Sequence, residues 1–253
     1  MHYAVHGTGS KDVLLIHGSS ASSAWWHAVR PLLAADLRVI TLDLSGHGES
    51  DHRDSYSGEL WARELLAVLD VTHATAPVVV GHSLGGRVAL LASAMQPERF
   101  ASLILLDSGI WPSAKARERL ARRTARPVRL YPTFAEARAR FALLPPQPQP
   151  PATVLDPVAE YGLRAVPGGW TWKHDTAGFP PLYDEAVERA AAAIAMPVVY
   201  VSGELSSVVG PDAVERAAAL LPDVRTVMVP GAHHHLPLEA PAECARVIGE
   251  VLG

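Results

Sequence analysis

Residues 78–95 have the sequence VVVGHSLGGRVALLASAM, in which a run of valines leads through a glycine-rich turn into a segment with helical spacing. The valine run is typical of a buried strand, and the apolar spacing after Leu84 predicts a helix. Ser83 lies between the two, with Gly81 and Gly85 on either side. A serine in the pattern Gly-x-Ser-x-Gly at a strand-to-helix turn stands above the edge of a parallel sheet. The stretch therefore predicts an α/β fold and a nucleophilic serine.

Similar apolar runs recur along the rest of the chain and alternate with segments of helical spacing. Alternation of this kind is typical of a mostly parallel sheet that is covered by helices on both faces. The other predicted strands are 12–18, 38–43, 102–107, 197–202 and 224–229, and the other predicted helices are 57–70, 212–221 and 241–252.

The alternation breaks once, between the strands at 102–107 and 197–202. About 90 residues separate these strands, whereas a crossover needs only a dozen or more. We therefore predict a core formed by 1–110 and 196–253 and an inserted lid at 111–195.

The predicted lid contains two helical patterns and a proline run. The helical patterns lie at 111–126 and 134–144, and the run PPQPQPP at 145–151 predicts an extended connector. The first pattern is basic, which is compatible either with an anionic substrate or with a solvated helix face. Its basic residues are Lys115, Arg117, Arg119, Arg122 and Arg123.

Composition indicates an ordinary globular protein. The 253 residues are 49% hydrophobic and 19% charged, and the net charge of −4 argues against nucleic acid or an anionic membrane as partner. A small-molecule substrate is expected, and both a monomer and a homodimer remain open. The single Cys244 allows no internal disulfide and is interpreted as core filler. Together with the lack of a signal pattern or membrane span, this favours a cytoplasmic location.

The surroundings of Ser83 resemble the α/β-hydrolase superfamily, and the likeness covers nearly the whole chain. LLIHGSSASSAWW at 14–26 resembles the family's oxyanion loop, and DLSGHGES at 43–50 resembles a structural turn. LDSG at 106–109 resembles the turn after the strand that follows the nucleophile, and VPGAHHHLPLEAP at 229–241 resembles the histidine segment. The resemblance implies an oxyanion hole formed by the backbone amides of Ser19 and Leu84.

Three consecutive histidines, 233–235, occur in the histidine segment. Adjacent side chains point in divergent directions, so three in a row rarely converge on one ion, and no metal or cofactor is expected. The family pattern places the base five residues before a glutamate that precedes x-Pro, which selects His234 by counting back from Glu239. His233 then stands where the family usually has glycine.

The acid of the expected triad is not where the family usually has it. An aspartate is expected about three residues beyond Gly203, but Ser206 stands there. Asp107 is favoured instead, because its strand is the expected neighbour of the nucleophile strand. Some family members, such as zearalenone-type lactonases, place the acid there. Glu204 and a dyad without acid remain alternatives. Asp212 is interpreted as a helix-start residue, and Asp175 lies in the predicted lid.

The predicted triad Ser83, Asp107 and His234 would cleave an ester, lactone or activated carbonyl through an acyl-enzyme, as a carboxylesterase or lactonase does. A serine nucleophile argues against epoxide hydrolases and haloalkane dehalogenases. Carbon–carbon hydrolases, hydroxynitrile lyases and cofactor-free haloperoxidases remain alternatives, as does a catalytically silent receptor. Five side chains are candidates for an apolar substrate pocket, although core packing would explain the tryptophans equally well: His82, Trp25, Trp111, Trp170 and Trp172.

Overall fold

A computed structural model describes residues 1–111, 128–175, 179 and 185–253. Its strands, in chain order, are β1 (His2–His6), β2 (Lys11–Ile16), β3 (Leu37–Asp43), β4 (Val78–His82), β5 (Ser102–Leu106), β6 (Leu163–Val166), β7 (Gly169–Trp172), β8 (Val198–Gly203) and β9 (Val224–Val229). Seven of them form the central sheet in the order β1-β3-β2-β4-β5-β8-β9, and β6 pairs with β7 in a separate hairpin. Only the edge strand β1 pairs antiparallel in the sheet; the described pairs of the other six are parallel.

The helices of the described residues cover both faces of this sheet. They are α1 (Gly58–Val71), α2 (Leu84–Met95), α3 (Phe134–Arg138), α4 (Ala152–Tyr161), α5 (Glu185–Ala192), α6 (Pro211–Leu220), α7 (Leu236–Glu239) and α8 (Pro241–Leu252). Side chains of α1, α2, α5 and α6 share one apolar cluster with the sheet. On the other face, α8 packs against the sheet together with Trp26 and Val29. The predicted mostly parallel, doubly covered fold is confirmed.

The sequence patterns missed β1 and the β6–β7 hairpin. Residues of β1 alternate between partly buried and exposed, so the strand lacks the continuous apolar run that marks a strand buried on both faces. The hairpin strands are four residues each, at the lower limit of the length over which alternation indicates a strand.

The segment predicted to be a lid packs against the loops at the carboxyl ends of the strands. Leu143 and Leu155 form a small apolar cluster with Trp25 and Leu238. The helical pattern at 134–144 forms only one turn, α3, because the chain then leaves the helix and Leu143 enters this cluster. Residues 145–151 form no helix or strand, as predicted. The basic cluster at 115–123 lies outside the described residues.

Helix α5 falls inside the predicted lid but packs on α2, and its buried face belongs to the main core cluster. The boundaries 111–195 stay a prediction, with this helix contributing to the core. Within the described ranges, no helix combines the length and apolar character needed to cross a bilayer.

The glycines around Ser83 allow the start of α2 to approach the sheet closely. A Cβ at Gly85 would lie 2.4 Å from the carbonyl oxygen of Ile16, and one at Gly81 would lie 2.4 Å from the backbone nitrogen of Gly86. These distances are too short for any side chain, so glycine is required at both positions.

We expect Gly85→Ala to lower the free energy of unfolding by about 1–3 kcal/mol, the usual cost of overpacking, because backbone atoms must shift to admit the methyl group. Urea denaturation measures this. Gly249→Ala is the matched control: this exposed helical glycine has no heavy atom within 4 Å of the added Cβ, so alanine should stabilise the protein by up to ~1 kcal/mol. Equal effects at the two positions would contradict the argument.

Candidate active site

Ser83 occupies a strained backbone conformation at the end of β4. Its φ is 52° and its ψ is −111°, a region that costs a residue other than glycine on the order of 1–3 kcal/mol. The conformation is held because the Ser83 N–H donates to the carbonyl of Leu106 at 3.0 Å, which continues the β4–β5 ladder. The turn therefore places the serine at the carboxyl edge of the sheet, where α2 begins.

Asp107 occupies the equivalent place at the end of β5. It also has a positive φ, 46°, and it is completely buried. Its carboxylate accepts three hydrogen bonds: from the N–H of Gly203 at 3.0 Å, from the hydroxyl of Ser206 at 2.7 Å and from the Nδ1 of His234 at 2.7 Å. Charge-assisted bonds of this kind are the strong ones, so the carboxylate is fixed in place.

The bond to Asp107 fixes the tautomer of His234. An ionised carboxylate can only accept, so Nδ1 carries the hydrogen and Nε2 carries the lone pair. The backbone of this histidine is also held, because the Nε2–H of His82 donates to the His234 carbonyl at 2.9 Å. The side chain and the backbone of His234 are therefore both held in place.

Gly203 lets the histidine segment reach Asp107. A Cβ at this position would lie 2.2 Å from the carbonyl oxygen of His233 and 2.5 Å from that of Ala232. Only a glycine at the end of β8 permits this approach. Sequence reasoning missed the role of Gly203, whose signal was its position directly after a predicted strand.

The alternative acids lie elsewhere. Glu204 is exposed and accepts a hydrogen bond from the N–H of Gly231 at 2.7 Å. Asp212 is exposed in the first turn of α6, and the carboxylate of Asp175 accepts from the hydroxyl of Tyr56 at 2.8 Å. Among these four carboxylates in the described part of the chain, Asp107 is the one hydrogen-bonded to His234.

Ser206 stands where the family usually has its acid, and it is hydrogen-bonded to Asp107. Its hydroxyl donates to Asp107, and its oxygen accepts from the N–H groups of Val208 at 3.0 Å and Val209 at 3.1 Å. The loop amides therefore orient the hydroxyl toward the carboxylate.

We expect Ser206→Ala to lower kcat about tenfold, because the carboxylate loses a bond of the ~1.5–3 kcal/mol class and part of its positional restraint. With one donor fewer, the carboxylate should stabilise the imidazolium more, so the acidic limb of the kcat/KM profile should move to higher pH. A purely structural role would lower stability without moving that limb, and an unchanged rate and profile would contradict the role.

The predicted oxyanion residues lie beside Ser83. A Cβ at Gly18 would be 3.3 Å from the Cβ of Ser83, so the loop that contains Ser19 passes directly next to the serine. The Gly18 carbonyl accepts from His17 Nδ1 at 2.7 Å, which steadies this loop. Leu84 begins α2, and the first amides of a helix have no partner within it. The oxyanion role of the Ser19 and Leu84 amides stays a prediction.

Two of the five candidate pocket side chains, Trp25 and His82, lie beside Ser83, whereas Trp111 lies elsewhere. Trp25 stacks on His82 with ring centroids 6.0 Å apart. Trp111 packs against the main core cluster and under the guanidinium of Arg216.

Trp170 and Trp172 lie on β7 within the predicted lid. Trp170 contacts the ring of Phe134, and Trp172 contacts the rings of Tyr131, Phe141 and His174. These contacts favour the packing interpretation for both tryptophans.

Buried histidines near the site are held neutral. Burial lowers the pKa of His82 well below its usual 6.5, and the nearby His234 and His235 lower it further. Burial also lowers the pKa of His47 well below 6.5, and that ring stacks on Phe179 at 4.3 Å.

We expect the free energy of unfolding to fall as the pH drops through 6.5. The native pKa values of His47 and His82 lie below 6.5, so the unfolded chain takes up protons that the native state does not bind. The loss from about pH 7.5 to about pH 5.5 should be at most about 1.4 kcal/mol per histidine, measured by urea denaturation. In His47→Gln, the loss of unfolding free energy over this pH range should be smaller by the contribution of one histidine. His73→Asn, at an exposed position, should leave the loss unchanged. The same dependence of stability on pH in His47→Gln as in wild type would contradict the role given to His47.

The fold and the turn at Ser83 define a class of protein: a parallel α/β sheet with polar side chains gathered at the carboxyl ends of its central strands. The chain belongs to the alpha/beta hydrolase family, whose model matches residues 13–247. The resemblance inferred from the motifs is thereby confirmed.

Several similar proteins carry the names of hydrolases or lipases. The chain is 28% identical over 229 residues to a 2-(acetamidomethylene)succinate hydrolase of Mesorhizobium japonicum, covering 88% of this chain and 81% of the relative. It is 34% identical over 177 residues to Lipase LipV of Mycobacterium tuberculosis, covering 68% of this chain and 66% of that relative. A crystal structure of E-2-(acetamidomethylene)succinate hydrolase superposes with a TM-score of 0.86 at 25% identity, covering 99% of this chain and 94% of the other.

Proposed function

We propose that the protein is a serine hydrolase that cleaves an ester, lactone or activated carbonyl of a small, largely apolar substrate. The observation that carries the proposal is the 2.7 Å bond from His234 Nδ1 to Asp107, formed beside a serine in a strained strand-to-helix turn. A buried acid–histidine pair of this kind has the arrangement required of a general base.

In the proposed reaction, Ser83 attacks the substrate carbonyl while the Nε2 of His234 accepts its proton. The amides of Ser19 and Leu84 stabilise the oxyanion, a contribution of about 3–4 kcal/mol for one donor in comparable sites. The imidazolium formed is stabilised by Asp107 and returns its proton to the leaving alcohol. Water then enters, loses a proton to His234 and releases the acid from Ser83, which restores the starting state.

Apolar surroundings support the choice of substrate. Trp25 lies over His82 and joins an apolar cluster with Leu143, Leu155 and Leu238. This cluster links the oxyanion loop to the predicted lid, so apolar side chains lie next to the loop that would hold the oxyanion. Ligand sites are mostly lined by apolar side chains with a few fixed polar groups.

The experiment is a panel of p-nitrophenyl esters and lactones of graded chain length, with Ser83→Ala as the control. The proposal predicts turnover that peaks at one chain length and is absent from the variant. A fluorophosphonate probe should label the wild-type chain and leave Ser83→Ala unlabelled. Absence of both turnover and labelling would favour a silent receptor.

Hydrolysis of an amide is a second candidate, favoured by the similarity to the enzyme named 2-(acetamidomethylene)succinate hydrolase. The same groups would act, with His234 protonating a leaving nitrogen. Including 2-(acetamidomethylene)succinate in the panel separates the two candidates. If the protein hydrolyses an amide, this compound should be turned over faster than every ester.

A further inference from the structure

The imidazoles of His82, His234 and His235 form a buried cluster beside Ser83. One ring nitrogen of each lies within 4.8 Å of those of the other two, and each residue is at most 5% exposed. We propose that this three-histidine cluster binds a divalent transition-metal ion of the Zn²⁺ type, and that the bound ion inhibits the enzyme.

Hydrogen bonds determine which ring nitrogen carries the lone pair in two members of the cluster. His82 donates through Nε2 to a backbone carbonyl at 2.9 Å, so its Nδ1 carries the lone pair, and this atom is buried with no hydrogen-bond partner among the described residues. His234 donates through Nδ1 to Asp107, which leaves its lone pair on Nε2. Only a neutral imidazole nitrogen with a lone pair binds a metal.

Asp107 supplies the outer shell that a histidine site requires. Metal-bound histidines usually donate their other N–H to a carboxylate or carbonyl, which orients the ring and raises its basicity. His234 donates to a carboxylate and His82 to a carbonyl. Asp107 also places a negative charge close to the cation.

Small movements would complete the coordination. Zn–N bonds of ~2.0–2.1 Å in a tetrahedron require nitrogens about 3.3–3.4 Å apart, so the present spread must close by at most about 1.5 Å. Side-chain rotation of His235, whose ring packs against Trp25 at 5.1 Å, would supply much of it. Three protein ligands leave the fourth position to a water or to the Ser83 hydroxyl.

The histidine that completes the sequence run is not part of the cluster. His233 Nδ1 lies 3.2 Å from a carboxylate oxygen of Glu239. The three consecutive histidines therefore do not all point to one place, as expected. Two of them, His234 and His235, instead lie close to His82, which is distant in the chain. Inhibition rests on the proposed function, because a metal on Nε2 occupies the lone pair that would accept the proton of Ser83; binding itself does not.

The test is calorimetric titration of untagged, metal-free protein with Zn²⁺, supported by the visible absorption of Co²⁺, which reports tetrahedral coordination. We expect one ion per chain in wild type and in Ser83→Ala. His235→Gln should weaken binding by at least ~100-fold, the upper end of what loss of an outer-shell partner costs. The matched control His233→Gln should bind as wild type does.

The outcomes separate the two proposals. Binding to inactive Ser83→Ala would support the site whatever the substrate proves to be. Absence of stoichiometric binding, unchanged affinity in His235→Gln, or loss of binding in His233→Gln would overturn the metal site. If Zn²⁺ binds as expected but leaves ester turnover unchanged, the proposed role of His234 fails and the binding site stands.

Discussion

Replacing Ser83 by alanine is expected to lower kcat by about six orders of magnitude, the loss found when the nucleophile of a serine hydrolase is removed. No other atom can form the acyl-enzyme, so the remaining rate would come from substrate binding and the oxyanion amides. Steady-state turnover of the best ester in the panel measures the effect.

Ser93→Ala is the matched control for this change. Ser93 lies on the same helix, α2, about 15 Å along it from Ser83 at 1.5 Å per residue, and its hydroxyl bonds the carbonyl of Leu90. The kcat of Ser93→Ala should equal that of wild type. Appreciable turnover by Ser83→Ala, with the fold intact, would exclude Ser83 as the nucleophile.

Asp107→Asn is expected to lower kcat by about four orders of magnitude, the scale seen when a triad aspartate is neutralised. The carboxylate now receives three donors on its two oxygens. Asparagine has one acceptor oxygen, so its amide N–H₂ must face Gly203, Ser206 or His234. An amide that faces His234 reverses the ring tautomer, whereas one that faces the Gly203 N–H meets another donor and displaces the side chain. In either case the histidine loses its tautomer or its orientation, although the change in volume is small.

Glu204→Gln distinguishes this effect from a general loss of charge near the site. Glu204 is hydrogen-bonded to the backbone of Gly231 rather than to the imidazole of His234. The kcat of Glu204→Gln should therefore stay within about twofold of wild type, in line with the small effects of most surface substitutions. The reverse pattern, a large loss in Glu204→Gln and a small one in Asp107→Asn, would move the acid to Glu204.

The choice of Asp107 could be made from the sequence because parallel strands gather their carboxyl ends. Once 78–95 is identified as the nucleophile strand and turn, the next strand in the chain is its neighbour in the sheet, and the residue after it faces the same edge. The glycine pattern likewise predicted the strand-to-helix turn at Ser83, which the structure contains.

The role of Ser206 could not be predicted in the same way. Its bond to Asp107 spans 99 positions in the chain and depends on the backbone amides of the loop, which no pattern of side chains reveals. The sequence showed only that the usual aspartate is missing.

The three-histidine cluster was missed for a similar reason. His82 and His234 are 152 positions apart, and only the approach of the histidine segment over Gly203 and the turn at Ser83 brings them together. The tryptophans of β7 could not be assigned from the sequence, because pocket lining and core packing both use aromatic residues; their ring contacts lie within the insert.

The rate at which a fluorophosphonate labels Ser83 is the measurement that tests the account most directly, because it reports nucleophile activation without knowledge of the substrate. Intact-mass spectrometry would follow the reaction in wild type, Asp107→Asn and Glu204→Gln. If Asp107 and His234 activate Ser83, labelling should be slowed by at least ~10³-fold in Asp107→Asn and unchanged in Glu204→Gln. Equal labelling of wild type and Asp107→Asn would contradict this activation.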